Sequence, residues 1–295
     1  MRRLSRDTAR RLRLPLAVAL AVVASVVPMV STTSAQYTSS AAATTTLGTR
    51  AACGGGTPYA TLLGSASYLP SVWWRFSETT GTTTVADGSG HGRAGTLTGS
   101  GVTFGTANTG LVTCDTTYAM RQLGNAGSTG RVVSTTPVTS PTTLTIATWI
   151  RTTSLNGGRI VGFGDSATAG STIQDRALLL DRTGRVVFQV ATTTGNVLLT
   201  SPAVVSDNVL HLVVATLSGT SARLYVDGVQ VAAGIVAAPR ATYTGYWRAG
   251  WEQNITAIIT GSRNQAALRQ DEVAIWEGRA LSGAEVAALW GANHW

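Results

Sequence analysis

Lysine is absent from the 295 residues, so all 22 basic side chains are arginine, set against 14 aspartates and glutamates. Cysteine is scarce: Cys53 and Cys114 form no CxxC pair and have no histidine within a few residues, which argues against a zinc site or a redox dithiol. Only three histidines occur, His91, His211 and His294, far apart and in no HExxH spacing. The Gly-x-Ser-x-Gly signature of a nucleophile elbow is missing, which removes the best-marked hydrolase chemistries. Glycine-rich pieces such as Gly162–Gly164 precede no predicted helix, so no phosphate-cradling loop is expected. Charged residues make up 12% of the chain. Internal repeats and a second domain boundary are also lacking.

One long apolar run is present, at the start. Arg2, Arg3, Arg6, Arg10, Arg11 and Arg13 precede Leu14 to Val30, and small residues follow at Thr33-Ser34-Ala35. This reads as a signal peptide over 1–35, because the apolar run is broken by Pro28 and is short for a membrane span. An uncleaved anchor is the alternative. Without that segment sixteen arginines face thirteen acids, so the chain no longer has the charge of a nucleic-acid binder. Residues 36–67 are rich in Thr, Ser and Ala and suit a flexible lead-in. In an exported chain a lone pair of cysteines is expected to be joined. A Cys53–Cys114 bridge would stabilise the fold by roughly 4 kcal/mol in the chain-entropy picture.

From about residue 68 the pattern becomes short β-prone runs separated by turn residues. The strongest is Arg223 to Ala232, RLYVDGVQVA, where two alternating runs flank Asp227-Gly228 and predict a hairpin closed by a type I′ turn. Leu144 to Arg151, Arg159 to Phe163, Ala177 to Asp181, Arg185 to Ala191, Val209 to Leu217, Ile255 to Thr260 and Glu272 to Trp276 are further predicted strands. One helix is predicted, opened by the capping box Ser282-Gly283-Ala284-Glu285 and carrying Val286, Leu289 and Trp290 on one face. The fold class is therefore all-β, an antiparallel two-sheet β-sandwich with one short C-terminal helix, over residues 68–295.

Several blocks resemble laminin G-like jelly rolls of the concanavalin A-like lectin/glucanase superfamily, as found in secreted bacterial surface proteins. They include Trp74 to Glu78, Asp87 to Thr96, Leu144 to Thr152, Gly157 to Gly164, Tyr243 to Gly250 and Asp271 to Leu289. The chain departs from the family before His211, where Leu210 stands in place of a tryptophan. The resemblance implies ligands met by rim loops or a concave sheet, and often a rim calcium. It leaves the ligand open, since this superfold hosts lectins, adhesion modules and hydrolases.

For calcium, the carboxylates singled out are Asp87, in the Gly/Ser loop, and Asp271, at the start of the last strand. The competing reading gives Asp87 an Asx-turn and Asp271 an edge hydrogen bond. For a sugar, the aromatic cluster Tyr243, Tyr246, Trp247 and Trp251 offers stacking faces beside Arg248 and Glu252, although Trp247 lies in a recurrent family block and suits core packing. Catalysis is not expected. Glycosidases of this superfold place carboxylates on one strand facing one groove, whereas Glu272 and Glu277 are five apart and fall on opposite faces of a straight strand. The expectation is a secreted or cell-surface, non-catalytic module that binds a glycan or a cell-wall or surface component, with no nucleic-acid partner and no membrane span once the signal is removed. Its alternatives are a glycoside hydrolase or lyase and a purely structural adhesion module.

Overall fold

A computed structural model describes residues 57–238 and 242–293, all within the compact unit Cys53–Trp295. The expected signal peptide lies outside the described residues, as does Cys53 and with it the expected bridge to Cys114. Two antiparallel sheets are packed face to face. In the first, β15 (Val229–Ile235), β14 (Ser221–Val226), β13 (Leu210–Ser218), β8 (Thr143–Arg151), β17 (Leu268–Glu277), β5 (Met120–Gln122) and β4 (Val102–Thr103) follow one another, and β1 (Val72–Trp74) pairs with the later half of β17. In the second the order is β12 (Asn196–Thr200), β11 (Val186–Ala191), β10 (Gln174–Leu180), β9 (Gly158–Gly164), β16 (Thr244–Gly250), β6 (Arg131–Ser134), β3 (Gly95–Thr98) and β2 (Thr84–Val85). The two-residue β7 (Val138–Thr139) pairs with the start of β16.

Period-two alternation explains how one strand serves two cores. On β13, Val213, Ala215 and Leu217 point into the space between the sheets, whereas Leu212 and Val214 join Trp149 and Ala274 on the outer face of the first sheet. That outer face is covered by helices. The C-terminal helix α3 (Gly283–Gly291) begins at the expected capping box, buries Val286 and Leu289, and stacks Trp290 on Trp149 with ring centroids 5.4 Å apart. A first helix, α1 (Pro58–Leu63), occupies part of the expected flexible lead-in. Thr57 caps it by accepting a bond from the Ala60 N–H, Pro58 suits its first turn, and Tyr59 meets Trp149 edge-on at 5.6 Å.

The predicted strand at Ile255 to Thr260 is instead a short helix, α2 (Ile255–Ile258). Ile255, Ile258 and Ile259 share one face at helical spacing and pack on Ala177, Leu179 and Val187, on a separate apolar patch of the second sheet. Burial of that face overrides the strand propensity of isoleucine. The hairpin folds as expected, with Asp227 at φ 54° and Gly228 at φ 80°, and Val226 paired to Val229.

Candidate functional site

The four aromatics of the candidate cluster separate, and Trp247 packs in the core as its family block implies. Trp247 is wholly buried between the sheets, edge-on to Phe163 at 4.9 Å, and its indole N–H donates to Glu277 Oε1 at 2.7 Å. Tyr243 leans on the same Phe163, and burial raises its phenol pKa. Tyr246, half-buried, lies beside Trp247 on β16 and so faces the opposite way. Trp251, just past the strand, is also half-buried and remains available at the surface.

Arg248 and Glu252, expected to offer polar tips to a ligand, are instead fully buried. Glu252 Oε2 accepts from Arg159 Nη1 at 2.6 Å and lies 3.3 Å from Arg248 Nη1, while the Ser171 N–H donates to Oε1 and its hydroxyl to Oε2. Burial alone would raise the Glu252 pKa, but the two guanidinium groups and the Ser171 donors hold it below the usual carboxylate range. Arg248 also donates to the carbonyls of Ser166 and Ala169. This network fastens the loop between β9 and β10 across the second sheet. It is a scaffold for Trp251, one residue away.

Trp251 itself forms a wall of a groove of about 400 Å³, with Asn125, Ser128, Arg263, Asn264 and Gln265 along it. The Arg131 guanidinium sits over the indole, 5.0 Å from the ring centroid, and the Trp251 N–H donates to Gly130 O. Gln265 is itself held, donating to Gly130 O at 2.8 Å and accepting from the Gly124 N–H at 3.0 Å. An indole fixed by a cation beside amide side chains can stack a sugar ring and bond its hydroxyls.

The carboxylates also part company. Asp87 Oδ1 accepts from the N–H groups of Trp73 and Ser89, and Oδ2 from the Ser89 hydroxyl and the Arg93 N–H. The Ser89 bond is the Asx-turn foreseen as the alternative. Asp271, by contrast, meets Glu272 and Asp115, with one oxygen from each within 4.8 Å of the others. The pairing of β17 with β8 shifts register between Asp271 and Ala274, and Glu272 takes a left-handed φ of 52°. This bulge turns two successive side chains, which plain alternation would send to opposite faces, into one cluster. Asp115 and Glu272 carried no signal in the sequence as members of such a group, because the bulge depends on tertiary pairing.

The cluster is largely buried, Asp271 and Glu272 completely so, and electrostatically loaded. Burial raises the Asp271 pKa well above the usual range, and the Glu272 charge adds to it. Burial likewise lifts Glu272 to about 7, although Arg75, at 3.1 Å, and the Trp73 indole N–H favour its ionised form. The N–H groups of Leu111 and Glu272 donate to Asp271, whereas Asp115 Oδ2 is buried without a partner. An all-oxygen set with an orphaned carboxylate oxygen fits a hard cation such as Ca²⁺, and Asp115, Asp271 and Glu272 are the residues that would hold it. Glu277, the other candidate acid, accepts from Arg93 and Trp247 instead.

The comparisons with known proteins agree with this architecture. Residues 124–287 match the laminin G model Laminin_G_3, described as the concanavalin A-like lectin/glucanases superfamily. The match takes in more than half of the chain, and the protein belongs to that family. No curated protein matches it. Among solved structures, the binding domain of Paraclostridial Mosquitocidal Protein 1 is similar at 16% identity and TM-score 0.53, covering 75% of this chain and 51% of its own. The binding domain of botulinum neurotoxin DC in complex with rat synaptotagmin II gives 12% identity and TM-score 0.54, with 78% and 53% covered. The receptor binding domain of botulinum neurotoxin mosaic serotype C/D gives 13% identity and TM-score 0.51, with 77% and 51% covered. The chain thus spans about half the length of these structures, and at such identities what they share is the fold.

Proposed function

We propose that the protein is a secreted, non-catalytic module that binds an extracellular glycan, such as a cell-wall or surface polysaccharide, in the Trp251 groove. The observation that carries this reading is the half-buried indole, held by Arg131 beside the buried Arg159–Glu252–Arg248 network and facing a groove lined with amides. Similarity to structures described as binding domains supports binding in general. A glycosidase would need two carboxylates across its cleft. No aspartate or glutamate lines this groove, and Glu272 lies beneath Trp73 and Arg75 in a different cluster. Calcium, in this reading, sits at Asp115, Asp271 and Glu272 and braces the fold.

The test is affinity electrophoresis of the purified protein through a panel of soluble polysaccharides, with Trp251→Ala alongside. The wild type is expected to be retarded by at least one polymer, and W251A to lose at least tenfold in affinity, about 1.4 kcal/mol. Equal retardation of the two proteins, or release of reducing ends from the bound polymer, would overturn the reading.

A further inference from the structure

Three arginines stand in a row across the outer face of the first sheet. Arg269 on β17 is the direct cross-strand partner of Arg121 on β5 and of Arg151 on β8. Leu268 and Ile150 on these strands point into the core between the sheets, so the arginines next to them point outward together. Like charges directly opposite in an antiparallel pair destabilise it, and here two such pairs share one residue. None of the three joins an ion pair among the described residues. Their fixed bonds go to neutral groups: Arg151 Nε donates to Asn208, and Arg269 donates to the Thr109 carbonyl. Arg269 Nε is buried with no partner.

The row lines a cleft of about 530 Å³, whose walls add Asn108, Thr153, Ser154 and Asn208 and no acid. A cavity of this size walled by three convergent cations and neutral donors suits an anion with several oxygens, which guanidinium groups grip in paired hydrogen bonds. The cleft and the Trp251 groove are built from neighbouring stretches of the chain. Leu123 and Leu268 line one, Asn125 and Gln265 the other, and the Gly124 N–H donates to Gln265 between those stretches.

We propose that this cleft takes the carboxylate or sulfate groups of an acidic polysaccharide, so that the glycan stacked on Trp251 continues onto the Arg121–Arg269–Arg151 row. The polymer part of this proposal rests on the glycan reading of the Trp251 groove; the anion site does not. The experiment is affinity electrophoresis with polygalacturonate, its uncharged methyl ester, dextran sulfate and dextran, comparing wild type, R121Q/R151Q and W251A. R121Q alone is a second variant, since the exposed Arg121 side chain makes no hydrogen bond or ion pair among the described residues. Thermal melting of each variant without polymer confirms that it is folded.

The expected result is retardation of the wild type by polygalacturonate or by dextran sulfate, which tells a carboxylate from a sulfate ligand. Affinity should fall at least tenfold in R121Q/R151Q and by a smaller factor in R121Q, with a flatter dependence on salt. The melting temperature of R121Q should be equal to or above that of the wild type, because a repulsion is removed. Equal binding of polygalacturonate and its methyl ester, unchanged affinity in R121Q/R151Q, or no retardation by either acidic polymer would overturn the proposal. So would tighter binding of a single-stranded oligonucleotide than of either polymer. Loss of binding in R121Q/R151Q with full binding in W251A leaves the anion site standing and removes the groove reading; the reverse removes the anion site alone.

Discussion

His211 lies between two carboxylates, with Nδ1 2.7 Å from Asp227 and Nε2 3.1 Å from Asp207. Burial works against its charge, but the hydrogen bonds and charges of Asp227 and Asp207 outweigh it and raise the pKa. The folded chain therefore holds this proton more tightly than the unfolded chain does. Its contribution to stability is complete below the ordinary imidazole value of about 6.5 and is lost as pH rises through the raised folded value. Thermal melts from pH 6 to pH 8.5 should show the wild type losing stability across that window and His211→Gln staying flatter. A parallel fall in both would refute the assignment. Asp227 needs no more than the turn to account for it in the sequence. Its second task appears only when β13 is laid beside β14 and the Leu212 N–H and the His211 ring both reach its carboxylate.

The hairpin of β14 and β15 could be read residue by residue, because its turn and its alternation are local. Where it packs could not. A Cβ added at Gly228 would lie 2.9 Å from Trp290 Cβ, in a backbone conformation that L-residues avoid. Gly228→Ala should therefore destabilise the protein by about 1–2 kcal/mol, the left-handed strain adding to a clash with α3. Chemical denaturation would measure this; an unchanged midpoint would mean that the turn and helix do not press on one another. The C-terminal helix was equally legible, since its capping box and apolar stripe are sequence patterns. The short helix α2 is not legible in the sequence, although Ile255, Ile258 and Ile259 carry the right spacing, because Ile255, Thr256 and Ile258 favour a strand until the second sheet offers the isoleucines a patch to cover.

At the scale of the molecule, the acidic cluster draws on distant parts of the chain: Asp115 comes from the loop before β5, and Asp271 and Glu272 from the last strand. Calcium bound there would hold these segments together and keep buried carboxylates ionised. In a chelator-treated sample, millimolar Ca²⁺ should raise the melting temperature by about 5 °C, the gain expected of ligand well above its dissociation constant acting on a domain of this size. Asp115→Asn should lose most of that gain. Identical melting with EDTA and with Ca²⁺ would exclude the site.

Residue order alone determined the all-β class, the hairpin and the capped C-terminal helix, because alternation, turn chemistry and capping act over a few neighbouring residues; the family was legible through the resemblance of whole sequence blocks. Tertiary structure alone decided that Trp251 lies half-buried against the Arg131 guanidinium on the wall of a groove, whereas the core place of Trp247 was already implied by its family block. It also decided the acidic cluster and the arginine row. The cluster depends on a bulge that cancels the period of two, and the row on a cross-strand register that sets Arg121, Arg269 and Arg151 side by side, from positions as much as 148 residues apart in the chain.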